Sequence, residues 1–283
     1  MTRYHTPTDL PFAFDLMDQG PVVLIAGGTD WFPAQGDTPV KTDIIDVTGL
    51  PGFRAIERTA RGWRFGAAVR WADILRADLP PAFDGLKAAA REVGSVQIQN
   101  AGTLAGNICN ASPAADGMPP LLTLGTSVEL VSRNGSRRIP LEDFVTGARR
   151  TALNLGELLA AIHVPDLPSG TLAGFTKIGA RRYLVISIAM VAATLRVESG
   201  LIAAARVAVG ACSVVAQRLP LFEATLLGSS INHLPQLTPD QLTALAPIDD
   251  IRGSAEYRLD CVTTLTNRLL QSLARQGGAD GRA

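Results

Sequence analysis

Apolar positions along this chain change rhythm from strand-like to helix-like several times. Thr8 to Met17 predicts a short helix: Thr8 caps it, Pro11 is tolerated in the first turn, and Phe14 and Met17 share a face. The β-branched content of Val22 to Ala26 predicts a short buried strand, and Asp43 to Val47 predicts another. FRAIERTARGWRFGAAV, Phe53 to Val69, predicts a hairpin turning near Arg61-Gly62. Phe83, Leu86, Ala90 and Val93 recur at helical spacing, so a helix is expected over 83–93. SVELVSRNGSRRIPLEDF predicts the clearest hairpin, with Asn134-Gly135 supplying a positive-φ turn between two strand-like runs.

Pro165 and the DLPSG run at 166–170 mark a boundary, and the pattern changes beyond it. Ala189, Val191, Ala193, Leu195 and Val197 alternate with smaller or polar residues up to a turn at Ser199-Gly200. Val207 and Val209 continue the alternation on the return, which predicts an antiparallel hairpin. Helices are expected near Leu221 to Leu227 and Pro239 to Leu245. A last helix is expected from about Ser254 to Ala274, with Val262, Leu265, Leu269 and Leu273 on one stripe and a frayed RQGGADGRA tail. Strands and helices mix without a strict βαβ rhythm, so the fold class is α+β.

The 283 residues are enough for two or three domains, and 47% hydrophobic with 18% charged residues is the balance of a soluble globular protein. Lys plus Arg equals Asp plus Glu, 26 of each, so no overall field draws nucleic acid or an anionic membrane. The N-terminal stretch carries acidic residues among its apolar ones and does not read as a signal peptide. The apolar stretch Val185 to Leu195 is too short to span a bilayer, so no membrane span and a cytoplasmic location are expected. Cys109, Cys212 and Cys261 are far apart with no C-x-x-C pair, which predicts free thiols rather than a zinc site or a local cluster. His5, His163 and His233 are scattered and suggest no catalytic triad.

The candidate chemistry lies in two glycine-rich segments. In VVLIAGGTDWFPA, Val22 to Ala34, an apolar run enters two adjacent glycines, then Thr29 and Asp30. Glycines admit positive φ and a close ligand, and successive N–H groups in such a turn form an anion nest. It is neither a P-loop nor a G-x-G-x-x-G fingerprint, and a plain strand-ending turn also explains it. The second segment, VQIQNAGTLAGNICNASPAADGMPPLL, spans Val96 to Leu122 with little regular periodicity. Its small residues, amides, hydroxyls and the Asp116 carboxylate suit a loop that wraps a polar ligand; a self-capped Ω-loop is the alternative.

Taken in order, these segments resemble the FAD-binding medium subunit of molybdenum hydroxylases, the xanthine dehydrogenase and carbon monoxide dehydrogenase family. Ala26 to Asp30 match that family's A-G-G-T-D loop. Gln97 to Asp116 match its Q-I-R-N-x-G-T-x-G-G-N-I-x-x-A-S-P-x-x-D motif, with Gln99 in place of the Arg and Ala105 in place of the first Gly of G-G-N. Phe53 to Val69, FTKIGARR at 175–182 and DDIRGSAEYR at 249–258 match as well, so the resemblance covers nearly the whole chain.

The resemblance implies a two-lobed FAD-binding domain of the PCMH type over 1–167, with lobes of about 1–52 and 53–167. A smaller C-terminal domain of antiparallel sheet and helices would follow over 168–283. It implies that Leu24, Ile25, Ala26, Gly27, Gly28, Thr29, Asp30, Trp31 and Phe32 surround the FAD pyrophosphate. Thr103, Gly106 and Asn107 would hold the phosphate–ribityl side, and Asp116 would be a polar contact to the flavin. Val93 and Leu159 would lie against the isoalloxazine, and Lys177 would meet the flavin near N1 and C2=O, where a cation stabilises the reduced anionic ring. Tyr183 lies in a loop that the resemblance sets over the flavin. Arg252 and the Arg258 region match either a helix lock or a subunit contact. The implied role is electron relay. An iron–sulfur small subunit with two [2Fe–2S] clusters and a large subunit with the molybdenum cofactor would be partners in a dimer of heterotrimers. FAD would pass the electrons to NAD⁺ or another acceptor. Two other roles stay open at this point: a self-sufficient flavin-dependent oxidoreductase, and a non-catalytic scaffold.

Overall fold

A computed structural model describes residues 2–182 and 184–280; Tyr183, Met1 and 281–283 lie outside it. The chain forms two compact units that do not follow chain order. The first takes Met1–Ala77, Ser95–Ala111 and Thr126–Pro165; the second takes Asp78–Gly94, Ser112–Gly125 and Asp166–Ala283.

The first unit contains a small parallel sheet in the order Tyr4–His5, Asp43–Asp46, Val22–Ile25. Ile25 and Ile45 face its interior, 5% and 0% exposed. The expected N-terminal helix is Leu10–Asp18, and its cap is Asp9 rather than Thr8: the Asp9 carboxylate accepts from the Phe12 amide at 2.8 Å. A carboxylate is the stronger acceptor, so the residue next in line takes the cap. The unit also holds a five-stranded antiparallel sheet in the order Ile56–Thr59, Gly62–Gly66, Leu158–Pro165, Ser127–Ser132, Gly135–Pro140. Both expected hairpins are its edges. At the second turn Gly135 alone takes positive φ, +129°. Phe65, Ile162 and Val128 are cross-strand neighbours and are fully buried, which fixes the register of the three inner strands.

The second unit is built on a four-stranded antiparallel sheet, Thr171–Ile178, Ala189–Glu198, Leu201–Gly210, Gln217–Arg218. Strand Ala189–Glu198 is buried at every position from Ala189 to Leu195, on both faces. Ala189, Val191, Ala193 and Leu195 join Val262, Leu270 and Leu273 of the helix Ala255–Asp280 in one apolar core. On the other face the helix Met118–Thr123, with all six residues buried, packs against the sheet, and the Thr123 carbonyl accepts from the Thr194 hydroxyl at 3.4 Å. The helix Asp84–Glu92 packs on strand Thr171–Ile178 through a glycine contact: a Cβ on Gly85 would stand 2.9 Å from the Gly174 carbonyl oxygen.

The last helix runs to Asp280, beyond the expected Ala274. Gly277 lets it continue against strand Ala189–Glu198, because a side chain there would press on Val197 at 2.9 Å. The expected helix over Pro239 to Leu245 is a single 3₁₀ turn, Pro239–Leu242, and the helix near Leu221 is Pro220–Leu226. Arg258, 3% exposed, donates to the Ile188 and Ala211 carbonyls and to Asp250 Oδ1 at 2.7 Å. It is a lock between the start of this helix and the sheet.

Candidate functional site

The loop after strand Val22–Ile25 turns at Gly28, whose φ of +65° suits glycine. Its carbonyl accepts from the Phe32 amide at 3.1 Å, which starts the short helix Trp31–Gln35. Asp30 occupies the cap position of that helix without a side-chain cap bond. Leu24 and Ile25 belong to the parallel sheet, opposite Ile45 and Asp46. Trp31 and Phe32 meet edge to face at 5.0 Å between ring centroids. The amides of Gly27, Gly28 and Thr29 and the Thr29 hydroxyl have no hydrogen-bond partner among the described residues.

The second segment is not the irregular loop expected from its lack of periodicity. It forms the short helices Val96–Ala101, Leu104–Cys109 and Met118–Thr123. Each is too short for a hydrophobic stripe to declare itself, which is why pattern reading missed them. Caps define two of them instead. Ser95 accepts from the Ile98 amide, and Thr103 accepts from the Gly106 amide at 3.0 Å. Thr103 is 3% exposed; Gly106 and Asn107 are half-buried, and Asn107 lies one helical turn from Thr103, on the same face.

The two glycine segments meet inside the first unit. A Cβ on Gly27 would fall 2.1 Å from the Ala101 carbonyl oxygen, so the two backbones are in direct contact there. A Cβ on Gly102 would come within 3.2 Å of the Thr29 hydroxyl and 3.5 Å of the Trp71 ring. Trp71, 1% exposed, and its neighbours hold the second segment in place: the Trp71 amide donates to the Gly102 carbonyl, and the Leu104 amide donates to the Val69 carbonyl. Sequence reading did not single out this strap, although Val69 closes one of its quoted matches.

Of the remaining expected residues, Leu159 is buried in strand Leu158–Pro165 of the first unit. Val93, Asp116 and Lys177 belong to the second unit. Lys177 is near the end of strand Thr171–Ile178, and its side chain is only 6% exposed. The ammonium donates to Asp116 Oδ2 at 2.7 Å and to the Glu92 carbonyl at 3.3 Å. An ammonium has three donors, so one is left without a partner among the described residues. Asp116 is held on its other oxygen by the Ser187 hydroxyl at 2.7 Å. Burial pushes the Asp116 carboxyl up, while Lys177 and Ser187 pull it down. Sequence reading missed Ser187, which lies 71 positions from its partner. Lys177 also lines a cleft of about 490 Å³ in the second unit with Arg91, Arg181, Arg182, Phe175 and Val185. Tyr183, expected in that loop, lies outside the described residues.

The cysteines are free, and burial pushes the Cys109 and Cys212 thiols up to about 12. Among the described residues no group of three His, Cys, Asp or Glu side chains is placed to hold a metal ion, and no helix is long and apolar enough to cross a membrane.

A family described as the FAD binding domain in molybdopterin dehydrogenase matches residues 1–167. The chain belongs to that family. A second, described as the CO dehydrogenase flavoprotein C-terminal domain, matches residues 175–273. The flavoprotein is 29% identical over 283 residues to a xanthine dehydrogenase FAD-binding subunit of Escherichia coli O157:H7, covering 97% of each chain. It is 31% identical over 279 residues to the nicotine 6-hydroxylase medium subunit of Paenarthrobacter nicotinovorans, covering 95% of each. A solved CO dehydrogenase from Oligotropha carboxidovorans has the same fold, with a TM-score of 0.86 and 22% identity over 97% of this chain and 98% of that one. The flavoprotein is therefore an FAD-binding oxidoreductase subunit of α+β fold.

The donor set of the first unit fits FAD. Three adjacent unspent amides and a hydroxyl, on a loop with glycine in the left-handed region, present what a diphosphate accepts: several N–H donors and no negative side chain between them.

Proposed function

We propose that this flavoprotein is the electron-transfer subunit of a molybdenum hydroxylase complex. It takes electrons from [2Fe–2S] clusters of a small partner subunit and passes them to NAD⁺ or another acceptor. The large partner subunit carries the molybdenum cofactor, and the assembly is a cytoplasmic dimer of heterotrimers. The relatives that are named as FAD-binding and medium subunits support this reading. The observation that carries the cofactor assignment is the contact between Gly27 and Ala101, beside amides that no described residue uses. On this reading residues 1–167 are the FAD-binding domain and 168–283 the C-terminal domain.

Bound FAD would supply the redox chemistry, accepting single electrons and releasing them as a pair. The chain's own residues bind and orient it. Leu24 to Phe32 receive the diphosphate through the backbone and Thr29. The Thr103 hydroxyl, which already accepts from Gly106, donates its proton outward, and Gly106 and Asn107 complete that side. Val93 and Leu159 offer apolar surface to the ring. Lys177 directs its third N–H toward the flavin, with Asp116 as a polar neighbour. A fixed cation favours the reduced, anionic ring over the neutral oxidised one.

Co-expression with the proposed small and large partner subunits tests the reading. The expected result is a complex carrying iron, sulfide, molybdenum and FAD, in which substrate bleaches the flavin only when the iron–sulfur subunit is present. Flavin reduction by an organic donor with the isolated chain contradicts it.

A further inference from the structure

Lys177 and Ser187 flank one excursion of the chain. Lys177 lies just before it in strand Thr171–Ile178, and Ser187 lies just before the next strand begins at Ala189. The Ile188 amide donates to the Ile178 carbonyl at 2.8 Å and closes the base. Both flanking side chains reach the same carboxylate from a distant segment. Lys177 takes Oδ2 of Asp116 and Ser187 takes Oδ1, each at 2.7 Å. Ser187 is 3% exposed, and Asp116 is 8% exposed.

A carboxylate held on one oxygen alone can rotate about its last bond. Held on both, it is fixed in plane, and so is the ammonium that it anchors. The Glu92 carbonyl supplies a second fixed point for that ammonium. Two directions of the tetrahedral ammonium are thereby set, and the third N–H has one remaining direction.

We propose that Ser187 is a positioning residue for the flavin reaction, acting through Asp116 to aim the Lys177 ammonium. The inference rests on the reading that Lys177 faces the flavin. Ser187 acts on the flavin without touching it. Its hydroxyl removes the freedom of Asp116, and the effect is felt at the flavin only as a change in the field of Lys177.

The test is the midpoint potential of FAD bound to the full chain, read by dye-equilibrated titration on wild type, Lys177→Gln, Ser187→Ala and Ser187→Thr, after the flavin content of each is measured. Lys177→Gln removes the cation, and the potential is expected to fall. Ser187→Ala is expected to lower it in the same direction by a smaller amount, and Ser187→Thr, which keeps the hydroxyl, to restore it. An unshifted potential in Ser187→Ala, with Lys177→Gln shifted, overturns the positioning role and leaves the role of Lys177 standing. An unshifted potential in Lys177→Gln at full FAD content overturns the reading of Lys177 and the inference with it. Should Ser187→Ala fail to fold, Ser187→Cys, nearly the same size with a weak donor, is expected to fall between wild type and Lys177→Gln; a wild-type value there overturns the proposal.

Discussion

At the scale of single residues, the site depends on side chains that are missing. Gly27 has no room for a methyl group, since one would sit 2.1 Å from the Ala101 oxygen. Gly27→Ala must therefore push the two glycine segments apart, at about 1–3 kcal/mol. Its thermal midpoint is expected to drop by several degrees and its FAD content to fall at least tenfold. Full FAD content in this variant would show that the segments do not act together. The AGGTD motif made these glycines visible in the sequence, but not the reason for them. The strap from Val69 to Trp71 that holds the second segment was not visible, because backbone bonds between distant segments leave no residue signature. The same holds for Ser187, whose partner lies 71 positions away.

At the scale of elements, caps decide what periodicity does not. Thr103 begins the helix Leu104–Cys109 by accepting from Gly106. Thr103→Val keeps the shape and loses both the cap and the outward donor, at about 1 kcal/mol. Thr103→Ser is expected to retain stability and FAD, and Thr103→Val to lose both, as measured by urea unfolding and flavin absorbance. The edge strand Gly135–Pro140 has its own brace: Arg137 grips both oxygens of Glu157 at 2.7 Å. That grip, with the Asn154 amide helping against desolvation, holds the Glu157 carboxyl down to about 2 from 4.5. A lowered carboxyl stabilises the fold above its ordinary value, and the contribution is lost as pH falls from about 4.5 toward 2. Arg137 is 37% exposed, so the effect is about 1 kcal/mol. Wild type is expected to lose more stability than Glu157→Gln between about pH 5 and 2.5 in urea titrations; equal losses would show that the Glu157 carboxylate does not stabilise the fold. The hairpins were legible because an alternating pattern and a turn glycine are local. The three helices of 96–123 were not, since six residues each give no stripe.

At the scale of the molecule, the sequence showed the class of fold but not how it is assembled. The alternation from Ala189 to Val197 suggests a strand with one buried face, yet both faces are covered. The second cover comes from Met118–Thr123, a segment about 65 residues earlier in the chain, which no local pattern reports. That interleaving gives the second unit residues from both sides of the glycine-rich segment. If the two separated glycine segments form one diphosphate cradle, closing that cradle abolishes flavin binding, and flavin stoichiometry reads this. The full chain is purified, equilibrated with FAD and desalted, and flavin per chain is compared between wild type and Gly28→Val, a β-branched residue at a φ of +65°. About one FAD per wild-type chain and almost none in a folded Gly28→Val are expected. Equal flavin in the two proteins, or none in the wild type, would contradict the shared cradle.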